Sequence, residues 1–372
     1  MLQLIDSIGI GGAERVVQQI ANHLDRQRFE VTVAYLWETP QHISPFQLSP
    51  ERLVHLDFRG YLNPGTHRRV FHFLRENRFH IVHTHMFPSN TIGRIGALLF
   101  KTPVIIATEH NVYTWKKRKH WMVDRLLGQG TTQIIAVSEQ ALEQTIRNTG
   151  LSRERFLLMP NAVGVPDGWP LSSQERLERR RELGWNPNEK IIGTVGALSK
   201  QKAPELLLHA FKLISDHVPS ARLVYIGRGP LEEHIQDLLS RHNLQSKVSL
   251  LGYRPDAPDI AGLFDVFVMT SRWEGTPMAL LEAMARACPV IVTKVGQVPH
   301  IIQQDYDGSL VDPDQPEQTA DKILHVLDNP DAALEIGRRA RNKIKEEYGI
   351  DRYVEKLAQL YEDRLRQSGR QA

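Results

Sequence analysis

Residues 266–285 read VFVMTSRWEGTPMALLEAMA, and this stretch decides the fold of the second half of the chain. Its apolar start predicts a buried β-strand, Glu274 and Gly275 predict a turn, and the residues from Pro277 onward predict a helix. Proline suits the first position of a helix because no backbone N–H is needed there. The free amides at such a helix start favour phosphate or polar sugar hydroxyls.

Outward from this unit, strand-like runs alternate with helical patterns. The predicted strands are residues 2–6, 30–36, 53–58, 81–83, 104–107 and 134–137, then 191–195, 223–226, 248–250, 266–269 and 290–293. The predicted helices are residues 13–24, 67–77 and 139–148, then 203–215, 231–242, 277–287, 318–327, 332–346 and 351–366. Three prolines and two glycines in residues 159–170 predict a linker. The sequence therefore predicts an α/β protein of two doubly wound domains, with a ligand cleft at the carboxyl ends of both sheets.

Composition narrows the class of protein. A chain of 372 residues with 41% hydrophobic and 24% charged residues suits two soluble globular domains. No apolar run reaches the roughly 18 residues that a membrane span needs, and residues 1–6 lack the pattern of a secretory signal. The single cysteine, Cys288, excludes an internal disulfide and a multi-cysteine metal site. We expect a cytoplasmic location.

Positive charge is concentrated in the first half. Residues 1–165 hold 19 Lys and Arg against 13 Asp and Glu, whereas the remainder holds 27 against 30. The densest basic run, residues 115–121, reads WKKRKHW. Cations between aromatic rings suit peripheral contact with an anionic membrane, and a solvated helix start explains the run equally well. Nucleic acid is not predicted, because it needs a broader basic face.

Two glutamates of the opening stretch suit the two ends of one ligand. Glu274 lies before the predicted helix and Glu282 two turns into it, roughly 10–12 Å apart along one side. A ligand with a sugar at one end and a ribose at the other could touch both. The separation is too large for the carboxylate pair of a retaining glycosidase, which is about 5–5.5 Å.

Residues 271–285 resemble the donor-binding signature of the retaining GT-B glycosyltransferases of family four, the group-one glycosyl transferases. The similarity continues in order through residues 9–15, 83–85, 108–110, 136–139, 160–163, 195–198, 226–229 and 251–253. Each motif alone is weak, but their order and spacing are specific. The resemblance implies a GT-B fold, with two Rossmann-like domains facing across a cleft. It implies an acceptor-binding domain at residues 1–165, a donor domain at 166–350 and a helix at 351–372 that crosses back to the first domain.

The resemblance also implies an activity: transfer of a sugar from a nucleotide-diphosphate donor, most simply a UDP-sugar, to a saccharide or lipid-linked acceptor with retention of configuration. The implied catalytic residues are Glu274 facing the transferred sugar, Lys202 on the pyrophosphate and His110 against the sugar. The implied donor-binding residues are Gly11, Gly12, Gly196, Lys202, Arg228, Tyr253, Gly275, Thr276, Pro277, Met278, Leu281 and Glu282. The implied acceptor-binding residues are His85, Asn90 and Glu109. No cofactor and no metal ion are predicted.

The chain departs from the family at two positions. Many members carry an arginine where this chain has Ala197, and a glycine where it has Ala203. Lys200 or Arg228 could supply the missing charge. Three other functions stay open: a GT-B sugar-nucleotide epimerase, a phosphorylase, and a non-catalytic protein that binds a sugar nucleotide.

Two patterns resemble metal sites. Residues 305–307 and 312–314 each have the form Asp-x-Asp, but they fall in predicted loops after the last strand and fit turn residues better. His83 and His85 are two residues apart after a strand, without a third ligand nearby in the sequence. Acceptor contacts or ordinary cleft polarity explain this pair better than a metal.

Overall fold

The computed structural model describes residues 1–9, 11–37, 46–61 and 63–369. It divides into two compact units, one formed by Met1–Ala162 with Ile350–Ala372 and the other by Val163–Gly349. Ile10, a member of the predicted glycine-rich loop, lies outside the described residues. No helix within these ranges is long and apolar enough to cross a bilayer.

The described elements alternate between strand and helix. The strands are β1 (Leu2–Ile5), β2 (Thr32–Tyr35), β3 (Leu53–His55), β4 (Ile81–His85), β5 (Val104–Glu109), β6 (Gln133–Ala136), β7 (Phe156–Leu158), β8 (Lys190–Val195), β9 (Ala221–Ile226), β10 (Val248–Leu250), β11 (Val266–Met269), β12 (Val290–Thr293) and β13 (Ser309–Val311). The helices are α1 (Gly12–His23), α2 (Pro64–Asn77), α3 (Phe87–Leu99), α4 (Arg118–Gly130), α5 (Glu139–Thr149), α6 (Ser173–Glu182), α7 (Pro204–Ser215), α8 (Glu232–Arg241), α9 (Ala257–Ala261), α10 (Met278–Met284), α11 (Val298–Ile301), α12 (Pro316–Asp328), α13 (Pro330–Glu347) and α14 (Ile350–Gln367).

The first unit is a seven-stranded parallel sheet in the order β3-β2-β1-β4-β5-β6-β7. Its core packs strand residues such as Leu4 and Val82 against helix residues such as Leu74 and Ile92. Local signals set the helix ends: Ser138 Oγ accepts from Ala141 N at 3.1 Å at the start of α5, and a left-handed glycine follows that helix. The order reverses between β1 and β4, which creates a switch point there.

The last helix of the chain, α14, packs on this first unit. It contacts α1 and β5, and Tyr361 on its inner face is fully buried. On the outer face of α14, Glu355 and Glu362 pair with Arg28 of the N-terminal segment, at 2.8 and 2.9 Å. The unit is therefore built from two segments that are far apart in the sequence.

The second unit is a six-stranded parallel sheet in the order β10-β9-β8-β11-β12-β13. Its core joins strand residues such as Ile192 and Val266 to helix residues such as Phe211 and Ile323. The switch point of this sheet lies between β8 and β11. The predicted α/β fold of two Rossmann-like units is confirmed.

Several local predictions were wrong. Helices α3, α6, α9 and α11 and strands β7 and β13 were not anticipated. Strand β13 lies between the two Asp-x-Asp segments that the sequence placed after the last strand. Pro277 precedes α10 instead of opening it, and that helix ends at Met284. Ala287, with φ 58°, cannot continue an α-helix, which is why the predicted end at residue 287 is too late.

Candidate active site

The carboxyl ends of β8 and β11 meet at the switch point of the second sheet. The strands are neighbours, with Val266 in register with Ile192 and Phe267 with Gly193. Residues 196–203 follow β8, and residues 270–277 follow β11. Doubly wound sheets bind ligands at such points because the loops diverge and leave a crevice.

Lys202 and Glu274 form an ion pair across this switch point. The Lys202 ammonium donates to Oε1 of Glu274, and Ser271 Oγ donates to the same oxygen at 2.7 Å. Glu274 is only 5% exposed, whereas 25% of the Lys202 side chain is exposed. The pair therefore offers a ligand a reachable cation whose partner carboxylate is held in a fixed position.

Hydrogen bonds hold the two loops together around this pair. Arg272 N donates to Gln201 O at 2.8 Å, and Gln201 Nε2 donates to Trp273 O at 2.9 Å. Ala203 precedes α7 with φ 48°, a left-handed conformation that costs an alanine about 1–2 kcal/mol and glycine very little. A glycine would adopt this conformation at little cost, whereas Ala203 adopts it at a cost.

The loops after β8 and β9 approach each other closely. Gly227 has φ 138°, and a Cβ there would lie 2.0 Å from Gly196 O. Leu198 N donates to Arg228 O at 3.1 Å, which brings Arg228 beside Ala197. The side chains of Arg228 and Lys200 are exposed, and neither forms an ion pair within the part of the chain that the structure describes. Two cations thus lie in the loops that flank Ala197.

The rest of the predicted donor site lies around α10 and the end of β10. Six of the predicted donor-binding residues in this region are buried: Gly275, Thr276, Pro277, Met278, Leu281 and Glu282. Gly275 O accepts from Gln297 N at 2.9 Å, and Gly296, with φ 56°, leaves room for Glu274 O. Tyr253 follows β10 and is partly buried. The sequence reasoning missed Ser271, although its place directly after a strand and three residues before Glu274 was a usable signal.

In the first unit, three histidines meet at the carboxyl ends of β4 and β5. His85 Nδ1 lies 2.9 Å from His110 Nε2, and the rings of His83 and His85 are 4.2 Å apart between centroids. Burial lowers the pKa of His83 and of His110 to about 3, and it lowers the pKa of His85 well below its ordinary value. All three rings are therefore neutral at physiological pH.

The glycine-rich loop carries acidic neighbours. A Cβ on Gly11 would lie 2.1 Å from Oε2 of Glu14, and Ser7 Oγ donates to Oε1 of that carboxylate at 3.0 Å. Burial raises the pKa of Glu14, and it raises the pKa of Asp6 to about 7. Gly12, at the start of α1, is exposed. The Glu14 carboxylate therefore lies directly beside Gly11, and the predicted approach of Gly11 to phosphate stays a prediction.

A buried ion network lies behind the histidines. Lys116 Nζ donates to Glu109 Oε2 and to Asp124 Oδ2, both at 3.0 Å, and Arg94 donates to Asp124 Oδ1 at 2.7 Å. Asn90 Nδ2 donates to Thr108 O at 3.2 Å. The predicted acceptor residues Asn90 and Glu109 therefore have internal partners, and their contact with an acceptor stays a prediction.

This network corrects the interpretation of the basic run. Lys116 was expected among exposed cations, but its side chain is 0% exposed, and Trp121 is only 6% exposed. Trp115 is half exposed, and Lys117, Arg118 and Lys119 are exposed. The sequence pattern is uniform, yet one lysine points inward because two buried carboxylates compensate its charge.

The four aspartates of the Asp-x-Asp segments are all in ion pairs. They are Asp305 with Lys322, Asp307 with Lys343, Asp312 with Lys294, and Asp314 with Arg272, at 2.9 to 3.1 Å. Among the described residues, no group of three or more His, Cys, Asp or Glu side chains is arranged to hold a metal ion. These aspartates thus act as structural charges of the second unit.

Comparison with known proteins assigns this architecture. The sequence model of the Glycosyltransferase Family 4 matches residues 10–165, and the model described as Glycosyl transferases group 1 matches residues 175–343. The UDP-Gal:alpha-D-GlcNAc-diphosphoundecaprenol alpha-1,3-galactosyltransferase of Escherichia coli is 29% identical over 305 residues, 79% of this chain and 78% of that protein. Spore coat protein SA of Bacillus subtilis is 27% identical over 367 residues, 95% of each chain.

Solved structures share the fold. The crystal structure of HepE from Anabaena in complex with UDP-glucose superposes with a TM-score of 0.84 at 18% identity, covering 96% of this chain and 98% of that one. WaaG, a glycosyltransferase involved in lipopolysaccharide biosynthesis, superposes with a TM-score of 0.74 at 15% identity, covering 97% and 99%. With family matches in both halves and the fold of these neighbours, the chain belongs to the group 1 glycosyltransferases of the GT-B fold.

Proposed function

We propose that the protein transfers a sugar from a UDP-sugar to a lipid-linked or saccharide acceptor, with retention of the anomeric configuration. The observation that carries this proposal is the Lys202–Glu274 pair at the switch point of the second sheet. A diphosphate leaving group needs a cation, and the transferred sugar needs a fixed carboxylate nearby. The two residues supply both groups in one place.

The surroundings of Lys202 fit a nucleoside diphosphate. Arg228 and Lys200 add two exposed cations in the adjoining loops, which compensates for Ala197. Glu282, eight residues after Glu274, takes the ribose hydroxyls. UDP is the favoured nucleotide because HepE was solved with UDP-glucose and the Escherichia coli relative is named for UDP-Gal.

Retention of configuration is part of this proposal, and the roles proposed for the groups around the donor support it. Glu274 is engaged by Lys202 and Ser271, which suits stabilisation of charge better than attack on the sugar. The departing diphosphate then takes the proton of the attacking hydroxyl on the same face of the sugar. The protein contributes orientation and electrostatic stabilisation.

Ligand binding and product analysis test the donor. UDP and UDP-sugars are expected to raise the melting temperature, since a ligand at 100 times its Kd stabilises the folded state by about 2.7 kcal/mol. ADP and GDP serve as matched controls. Stabilisation by GDP or ADP alone would refute the uridine nucleotide. NMR of the product is expected to show the anomeric configuration of the donor, and an inverted product would refute retention.

We further propose that one face of α4 docks on an anionic membrane, where a lipid-linked acceptor would be found. Met122 and Leu126, one turn apart, are 59% and 61% exposed, and Arg118 and Arg125 lie on the same face. This α4 face lines an open groove of about 550 Å³ together with Arg147 of α5. Exposed apolar side chains among cations are typical of helices that lie in the headgroup layer.

Vesicle co-sedimentation tests the docking. The protein is expected to sediment with anionic vesicles at low salt and to be released at high salt, because each basic side chain contributes about 1 kcal/mol that salt screens. The double variant Arg118→Glu/Arg125→Glu, which reverses the two exposed cations of this α4 face, should lose most of this binding. Lys345→Glu/Lys356→Glu, at exposed positions of α13 and α14, is the matched control. Equal binding by both variants would refute docking through α4.

A further inference from the structure

Six side chains of the first unit form one continuous chain of hydrogen bonds. In order they are Thr108, His83, Tyr361, Gln3, His85 and His110. Successive donor–acceptor distances are 2.7, 2.6, 3.0, 2.6 and 2.9 Å. The first five side chains are at most 1% exposed, so water does not compete for these bonds. The chain joins the last helix, α14, to the carboxyl end of β5.

The amide of Gln3 gives this chain a direction. Its Nε2 can only donate, and it donates to the hydroxyl of Tyr361. Its Oε1 can only accept, so His85 must carry its proton on Nε2. The bare Nδ1 of His85 then accepts from the protonated Nε2 of His110. His110 is therefore left with an unprotonated Nδ1.

Tyr361 holds the amide in this orientation. Because the Tyr361 hydroxyl accepts from Gln3 Nε2, its single proton is donated to Nδ1 of His83, and the protonated Nε2 of His83 donates to Thr108. With its proton engaged by His83, the hydroxyl presents only lone pairs to Gln3, and these match the NH₂ group of the amide. If the amide were rotated by half a turn, its NH₂ would face His85, and the protons of His85 and His110 would both move to Nδ1.

The far end of the chain lacks a partner. Nδ1 of His110 is buried and accepts no hydrogen bond from any described residue. A buried acceptor without a donor is unfavourable and is rare in folded proteins. A sugar hydroxyl is a donor of the right kind, and the first unit offers no other donor at this atom within its described residues.

We infer that Tyr361 is a positioning residue for glycosyl transfer: through Gln3 and His85 it fixes His110 in the tautomer whose bare Nδ1 accepts a hydrogen bond from a sugar hydroxyl. The contact with the sugar rests on the proposed glycosyl transfer and on the place beside the sugar that the family resemblance implies for His110, whereas the tautomer rests only on the hydrogen bonds above. Helix α14 is thereby linked to the chemistry without direct contact with the substrate.

Nitrogen NMR of the ¹⁵N-histidine-labelled protein reads the tautomer directly. In the wild type, the His110 resonances, assigned by their loss in His110→Gln, should show a bare Nδ1 and a protonated Nε2. In Tyr361→Phe, a substantial share of His110 should carry the proton on Nδ1. Tyr353→Phe is the matched control, because Tyr353 is also buried on α14 but makes no hydrogen bond with a described residue. A protonated Nδ1 in the wild type, or an unchanged tautomer in Tyr361→Phe, would overturn the inference.

Kinetics test the link to the sugar. In Tyr361→Phe, kcat/KM for transfer should fall about tenfold, the value of one hydrogen bond, while the Kd of UDP stays within twofold because UDP carries no sugar. A changed tautomer with unchanged kcat/KM would overturn the contact with the sugar. Should Tyr361→Phe fold poorly, Gln3→Met interrupts the same chain and must give the same two effects. A different donor nucleotide would disprove the proposed UDP-sugar but leave the wild-type tautomer as stated.

Discussion

Replacing Lys116 with methionine is expected to destabilise the first unit by about 3–5 kcal/mol, because it leaves the buried Glu109 without its cation and Asp124 with Arg94 alone. Glu109 and Asp124 are 3% and 4% exposed, and both accept from Lys116. The ammonium also lies 4.0 Å from the ring centroid of Tyr113 and 4.6 Å from that of Trp121. Methionine keeps the volume, so the loss reports the charge.

The loss of stability caused by Lys116→Met should depend on pH. Burial raises the pKa of Glu109, and Lys116 opposes that rise. Without the lysine, the folded state binds a proton at Glu109 up to a higher pH than the unfolded chain does. The stability of the variant therefore falls as pH rises from the pKa of Glu109 in the unfolded chain to its higher pKa in the folded state. The loss of stability relative to the wild type should thus be smaller at pH 5 than at pH 8.

Calorimetry at both pH values measures the effect. The melting transition of the first unit should fall by about 10 °C at pH 8. Lys119→Met, which removes an exposed lysine of the same run, should change it little. Adding Glu109→Gln to Lys116→Met should recover part of the loss, since it removes one uncompensated charge. Equal melting of the two lysine variants would show that the buried network contributes nothing.

Replacing Glu274 with glutamine is expected to lower kcat for transfer by about 10²–10³-fold, the usual cost of losing one preorganised electrostatic contact. The Kd of UDP should stay the same or fall, because Lys202 is then no longer neutralised by its partner. Lys202→Ala should do the reverse and weaken UDP binding by about 10- to 100-fold, as expected for a charge-assisted hydrogen bond.

Enzyme kinetics and calorimetric titration with UDP separate these effects. Glu189→Gln is the matched control. Glu189 also pairs with a cation, Arg222, but it lies just before β8, at the amino end of that strand and away from the switch point. The kcat of Glu189→Gln should stay within about threefold of the wild-type value, as expected for a substitution away from the site. Equal losses of kcat and UDP affinity in Glu274→Gln would make Glu274 a structural residue.

Regular secondary structure was predictable where the local pattern is strong. Residues 248–250, 266–269 and 290–293 are strands with the predicted bounds, because apolar residues there run between clear breaks. Helix α3 was missed because Gly93 and Gly96 weaken its helical propensity. Both glycines are explained by tertiary packing: a Cβ at Gly93 would meet Leu4 at 2.6 Å, and one at Gly96 would meet Leu74 at 2.4 Å.

Lys202 and Glu274 were each predicted as site residues, but their pairing was not. Lys202 and Glu274 belong to separate motifs, and only the neighbouring positions of β8 and β11 bring them together. Lys116 was misjudged because nothing in a run of cations tells which one meets Glu109 and Asp124. Tyr361 carried no signal, because a buried tyrosine on an amphipathic helix is typical of any core.

Helix α14 makes the first unit depend on residues that are synthesised after the second unit. The chain emerges from the ribosome at about 5–20 residues per second, so residues 163–349 delay this helix by roughly 10 to 40 s after residue 162. During that interval the face that receives Leu357 and Tyr361 is uncovered, and His83 lacks its tyrosine partner. All of the second unit is therefore synthesised before the first unit can be completed. The position of one helix thus sets the order in which the two units can finish folding.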